Sequence, residues 1–194
     1  EQIPVPFTVA LEVGKLRRTE EFADYRSDER SVRFAQKTLD EMKKNRSITA
    51  TDKLIVLEDA DEGVVVNLCA GHKVNEAIGR VLSILLSARY GSAVGIETNA
   101  YRFYLRLPKF IAAPDVEEVL HSLEPEHVEG ILQLALKKTS LYKWRLVQAA
   151  KKFGAIDADA DYEKISMNRL LELFDGTVVE REAFRELFFS NMDV

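Results

Sequence analysis

Apolar residues recur along this chain at two spacings, one near 3.6 residues and one of two, and the changes between them divide it into segments. After Pro4 and Pro6, Val9, Ala10, Val13 and Leu16 predict a helix over 8–25, with Lys15, Arg17 and Arg18 on its far face. Ser27, followed by Glu29 and Arg30, announces a second helix through Val32, Phe34, Ala35, Leu39 and Met42. Its basic end at Lys43, Lys44 and Arg46 suits the helix dipole, and the two segments read as a helical pair. From Lys53 the period becomes that of a strand: 54–58, a turn over 59–63, then 64–69, which together make a hairpin. Val74, Ala77, Ile78, Val81, Leu82, Leu85 and Leu86 form one broad apolar stripe on a helix over 74–90, which Gly91 terminates. Two more strands, 93–98 and 101–107, are joined across Asn99 and Ala100.

The order strand, strand, helix, strand, strand predicts an α+β fold: a helical pair, then a small antiparallel sheet or half-barrel with the helix on its apolar face. After Pro108 the pattern is wholly helical, over 115–122, 126–138, 140–153, 166–174 and 178–192, with turns at Glu124-Pro125 and Asp175-Gly176. A boundary near 111–114 divides the chain into 1–112 and 113–194, unless it is one continuous domain. There is no internal repeat and no low-complexity tract.

Composition narrows the class without naming it. The 194 residues are 46% apolar and 30% charged, which excludes disordered, collagenous and disulfide-scaffold classes. A single cysteine, Cys69, forbids an intrachain disulfide and suits a reducing, cytoplasmic setting; it reads as a small buried hydrophobe at a strand end. No apolar run approaches the roughly 20 residues of a membrane span. The chain opens Glu1-Gln2-Ile3-Pro4-Val5-Pro6, with no initiator Met, basic segment or apolar signal core, and so reads as a piece of a longer protein. The net charge of -5 argues against a protein that coats nucleic acid through a uniformly basic surface. That average hides a local excess, because 130–156 holds no acidic residue while Lys137, Lys138, Lys143, Arg145, Lys151 and Lys152 give six positive charges. Asp157, Asp159, Asp161 and Glu163 then reverse the sign, in what reads as a solvated loop.

Catalytic signatures are missing. No GxxxxGKS or GxxxxGKT phosphate cradle occurs, and the nine glycines never fall as GxGxxG. His72, His121 and His127 are scattered and do not make a metal motif. Cys69 has only His72 nearby in sequence as a base. No residue is assigned a catalytic or metal-binding role.

Binding surfaces are better supported. In the strand 101–107, Tyr101, Phe103, Leu105 and Leu107 share one face, the core face, and Arg102, Tyr104 and Arg106 share the other. Two guanidiniums beside an aromatic ring can hold phosphates and stack a base, and they equally make an ordinary solvent face that protects a sheet edge. On the helix 140–153, Tyr142, Leu146, Ala149, Ala150 and Phe153 cluster in one apolar arc. Trp144, Arg145, Gln148, Lys151 and Lys152 lie on the opposite arc. A tryptophan among basic residues suits stacking on a base, or docking against another domain.

The run Leu141-Tyr142-Lys143-Trp144-Arg145-Leu146-Val147-Gln148-Ala149-Ala150-Lys151-Lys152-Phe153-Gly154 resembles a block of the DEAD/H-associated domain of Lhr-like (large helicase-related) ATP-dependent helicases. Three further blocks agree in order. Ile3-Pro4-Val5-Pro6-Phe7 with Val13-Gly14-Lys15-Leu16-Arg17 is similar to the entry into that domain, and Gly71-His72-Lys73-Val74-Asn75-Glu76-Ala77-Ile78 to its helix-start motif. Leu170-Leu171-Glu172-Leu173, then Glu182-Ala183-Phe184-Arg185-Glu186 through to Asp193, is similar to its terminal helix. Gln148 and Lys152 stand where relatives often use histidine and arginine, which leaves the identity of any base contact open.

The resemblance implies a region that follows two motor lobes and a winged-helix domain in a superfamily 2 helicase moving 3′ to 5′ along single-stranded DNA and unwinding duplex or RNA:DNA hybrid, with a role in DNA repair. ATP and Mg would belong to the motor lobes of the parent chain and no cofactor to this region. The region would complete the channel for the tracking strand, with Trp144, Arg145, Gln148, Lys151, Lys152, Arg102, Tyr104 and Arg106 as its nucleic-acid contacts. Two other readings stay open: a scaffold that docks the winged helix or another protein without touching nucleic acid, and a DNA glycosylase-like module.

Overall fold

A computed structural model describes residues 3–45, 48–161 and 166–192. Glu1, Gln2, Arg46, Glu163 and Asp193, each singled out above, lie outside the described residues. The chain divides into two compact units, 1–123 and 124–194.

The first unit opens with α1 (Phe7–Thr19) and α2 (Glu29–Asn45). α1 is shorter than its pattern predicts, because Glu20 adopts a left-handed conformation (φ 56°) and its N–H closes on the Leu16 carbonyl. Val9 is half exposed, since the helix buries its small residues Ala10 and Gly14 instead. α2 is capped by Asp28 rather than Ser27: its Oδ1 accepts the Ser31 N–H at 2.8 Å. That N–H holds the Asp28 carboxyl below the usual carboxylate range. Leu39 is buried, but Phe34, which belongs to the apolar pattern, is 74% exposed. Glu20 ties the pair together, accepting from Gln36 at 3.2 Å and pairing with Lys43 of α2.

β1 (Val56–Ala60) and β2 (Gly63–Asn67) form the first hairpin, α3 (Gly71–Tyr90) follows, and β3 (Gly95–Thr98) and β4 (Arg102–Arg106) form the second hairpin. The four strands make one antiparallel sheet in the order β1-β2-β4-β3. Strict alternation sends Val64, Val66, Phe103 and Leu105 to one face, where Leu82 and Leu86 of α3 cover them. α4 (Ala113–His121) adds Val116 and Val119 to the same core, so the helix after Pro108 belongs to the sheet unit. Asp115 fixes its start by accepting the Ala112 N–H at 2.9 Å and the Tyr90 hydroxyl at 2.7 Å. α3 ends as its glycine predicts, with Gly91 at φ 65°. It begins at another glycine for a steric reason: Gly71 has φ 83°, and a Cβ there would stand 2.8 Å from the Val5 carbonyl oxygen.

The second unit consists of α5 (Pro125–Leu136), α6 (Ser140–Lys152), α7 (Met167–Phe174) and α8 (Val178–Asn191). α6 and α8 form its centre. Tyr142 stacks on Phe184 with ring centroids 4.5 Å apart, and Phe184 on Phe188 at 5.9 Å. Leu146, Val147, Ala149 and Ala150 are fully buried, whereas Phe153, which falls on the apolar arc, is 54% exposed just beyond the last turn of α6. Among the described residues, no helix is long and apolar enough to cross a membrane.

Candidate nucleic-acid interface

The face of the sheet opposite the core carries the first candidate surface. The register places Tyr104 in one row with Val65 of β2 and Glu97 of β3. Arg106 stands between Gly63 and Gly95, and Arg102 opposite Asn67. Alternation therefore brings together the three residues the strand pattern singles out, with Arg102 and Arg106 exposed and Tyr104 half-buried. Neither the Arg102 guanidinium nor the Tyr104 hydroxyl has a partner among the described residues. Val65, Glu97, Thr98, Asn99, Arg102 and Tyr104 line a shallow hollow of about 350 Å³. The Asn99 side chain shapes the turn beside it, Oδ1 accepting the N–H groups of Tyr101 (2.9 Å) and Arg102 (3.1 Å). Tyr101 itself lies under the Arg17 guanidinium, 5.0 Å from its ring.

Glu97 is the member of this candidate surface that strand alternation alone misses. It accepts a hydrogen bond from Arg106 at 2.9 Å, in a pair whose side chains are 62% (Arg106) and 69% (Glu97) exposed. Such a solvated pair is worth about 0–1 kcal/mol, so a phosphate can compete for Arg106. Finding Glu97 from sequence would require the register of β3 on β4, which apolar spacing does not supply.

The second candidate surface is α6, whose charges the tertiary structure rearranges. Trp144 is 45% exposed, and the Arg145 guanidinium lies 5.1 Å from its ring centroid. Gln148 on the same helix is half-buried. Lys151 donates to the Ala158 and Ala160 carbonyls at 3.0 and 2.7 Å, tying the acidic loop back to the helix. Lys152 pairs with Glu186 of α8, and Arg145 approaches the same carboxylate at 3.9 Å. Lys137 contacts Asp175 and Glu180, each at 2.7 Å, and these hydrogen bonds raise its pKa. Lys138 and Lys143 have no ion pair among the described residues. Most of the basic stretch is thus answered by carboxylates and carbonyls that come later in the chain.

Glu180 organises this unit from within. It accepts the Tyr142 hydroxyl at 3.2 Å on Oε1 and the Gly176 N–H at 2.7 Å on Oε2. Burial, reinforced by Glu180, pushes the Tyr142 hydroxyl pKa up.

The remaining reactive side chains have structural partners. Cys69 is 2% exposed, its Sγ accepts from Arg17 at 3.1 Å, and burial pushes the thiol pKa up despite that cation. His72 Nδ1 accepts the Val5 N–H at 2.9 Å. Among the described residues, no group of three His, Cys, Asp or Glu side chains could hold a metal ion.

Comparison with known proteins adds the lineage. The Lhr-Core ATP-dependent helicase of Methanocaldococcus jannaschii is 25% identical over 218 residues, covering 100% of this chain and 25% of that protein. Lhr-Core protein 2, an ATP-dependent helicase of Thermococcus barophilus, is 23% identical over 220 residues, with the same coverage of 100% and 25%. The chain thus spans about a quarter of the length of these relatives. Among solved structures, Mycobacterium smegmatis helicase Lhr bound to ssDNA and AMP-PNP shares the fold with a TM-score of 0.65, at 15% identity, over 100% of this chain and 28% of that one. The model for the DEAD/H associated family matches residues 49–194, from just ahead of the sheet through α8, and so the chain belongs to that family.

Proposed function

We propose that this chain is an accessory nucleic-acid-binding region of an ATP-dependent 3′ to 5′ DNA helicase, completing the path of a single strand beside the winged helix. ATP and Mg would be held by motor lobes elsewhere in the parent protein, and DNA repair in the cytoplasm would be its setting. The observation that carries this reading is the open sheet face, where an aromatic ring is flanked on its own strand by two arginines, one of them unpaired. Leu82 and Leu86 of α3 and Val116 and Val119 of α4 pack on the opposite face. A ring gives a base a stacking platform worth about 1–3 kcal/mol, and each cation that meets a phosphate adds a salt-dependent increment. The relationship to a helicase solved with ssDNA supports the same polymer; RNA:DNA hybrid is the second substrate this reading admits.

Fluorescence anisotropy of the 194-residue chain with a labelled thymidine oligonucleotide tests it. Tyr104→Ala should weaken binding by at least about fivefold. Arg102→Ala should lower the salt slope by about 0.7. Unchanged affinity in both variants refutes the sheet face as a nucleic-acid surface.

A second reading, a protein-docking scaffold, rests on α6. There Arg145 covers part of Trp144, and Lys151 and Lys152 are engaged within their own unit. Trp144 emission that responds to the winged-helix domain and not to oligonucleotide would favour it.

A further inference from the structure

The nucleic-acid reading of the sheet explains Arg102, Tyr104 and Arg106, but it leaves an acidic residue in their midst. Glu97 is the cross-strand neighbour of Tyr104, which puts its Cβ about 5 Å from that of the tyrosine. Arg102 lies two residues along the strand, about 7 Å away. A base stacked on the Tyr104 ring would therefore have a carboxylate at one edge and a guanidinium within reach of its sugar-phosphate. The hollow these residues line, about 350 Å³, is at the small end of ligand clefts and suits one nucleobase rather than a helix.

The carboxylate is partly fixed before any ligand arrives. Arg106 donates to its Oε1, and the neighbouring Thr98 hydroxyl donates to Glu76 Oε2 at 2.7 Å, pinning β3 to α3. Glu97 has no further partner among the described residues, so Oε2 and the second lone pair of Oε1 face solvent. An ionised carboxylate only accepts, and it is satisfied best by two adjacent donors. Of the four DNA bases only guanine presents such a pair, N1–H beside the N2 amino group. Adenine and cytosine each place a ring acceptor next to their amino group, and the single N–H of thymine sits between two carbonyls.

Resting on the sheet-face reading, we infer that Glu97 makes this hollow selective for one unpaired guanine, stacked on Tyr104 with its phosphate toward Arg102. Glu97 is thus a specificity-determining residue, not a neutral partner of Arg106.

The test uses the 194-residue chain and short thymidine oligonucleotides carrying one central guanine, adenine, cytosine or thymine. The guanine strand should bind about fivefold more tightly than the other three, the lower end for a bidentate pair because this one is solvated. Glu97→Gln replaces one acceptor by a donor. It should abolish the preference while holding or raising affinity for the all-thymidine strand, since a negative charge is lost. Both Glu97 and Arg106 are more than half exposed, so the variant should fold. Equal binding of the four strands by the parent chain, or a guanine preference that survives Glu97→Gln, overturns the inference while the sheet face stands. If Tyr104→Ala and Arg102→Ala leave thymidine binding unchanged, the underlying surface fails and the inference with it.

Discussion

Replacing Glu186 with Gln separates the two roles open to α6. Glu186 has a side chain only 16% exposed and serves both Lys152 and Arg145, two of the cations proposed to meet phosphate. Strand binding through these cations requires each to leave the carboxylate, and Glu186→Gln removes that competition. Loss of the Lys152 pair should cost about 0–1 kcal/mol of stability, because Lys152 is 62% exposed, and the Arg145 contact, at 3.9 Å, is at the limit of an ion pair. The binding effect should be larger. Two cations made available to a single strand steepen the salt dependence by about 1.4, at about 0.7 per phosphate. Between about 50 and about 200 mM salt the variant should then lose about sevenfold more affinity than the parent, having started tighter at the low end. Anisotropy titrations at several salt concentrations, with the melting temperature as a folding control, give both quantities. A slope and an affinity both identical to those of the parent would show that Arg145 and Lys152 meet no phosphate, and α6 would then be a docking element for protein.

Two further predictions concern the framework. Gly71→Ala should destabilise the chain by about 2–4 kcal/mol in urea unfolding, since a Cβ at φ 83° would press on Val5, Pro6 and Phe7 backbone atoms at 2.8–2.9 Å. Gly91→Ala, at φ 65° with nothing within 4 Å, should cost only about 1 kcal/mol, which isolates the steric share. Asp115 is held below the ordinary aspartate range, chiefly by the Ala112 N–H and then by the Tyr90 hydroxyl. A depressed folded pKa stabilises above the unfolded value and is lost as pH falls through the folded one, so its contribution should fade below about pH 4. Thermal melts from neutral pH into that range should show a shallower acid-side decline for Asp115→Asn than for the parent.

Much of the architecture is legible in residue spacing because spacing is a local property. Leu82 and Leu86 one turn apart, Phe103 and Leu105 two residues apart, and Gly91 after the last turn each report a backbone period without reference to any partner. The same rule does not tell which apolar residue will be covered. Phe34 and Phe153 follow the pattern and stand exposed, while α1 buries Ala10 and Gly14 in place of the larger Val9. Helix ends are also partly hidden. Glu20 stops α1 by adopting a left-handed conformation, which a glutamate does not advertise, and Asp28 rather than Ser27 caps α2 because its carboxylate reaches the Ser31 N–H.

The sequence by itself determined the α+β order, the partition of the last strand into Phe103 and Leu105 against Arg102, Tyr104 and Arg106, and the concentration of positive charge between 130 and 156. Only the tertiary structure decided which of those charges remain free. A side chain's period is set by its own backbone, but its ion-pair partner is set by packing: Glu180 and Glu186 arrive on α8 to meet Lys137 and Lys152, and Glu97 crosses a hairpin to stand beside Tyr104. Coulombic pairing acts through space over a few ångströms, so a run of cations that looks unopposed along the chain can be largely neutralised in the fold.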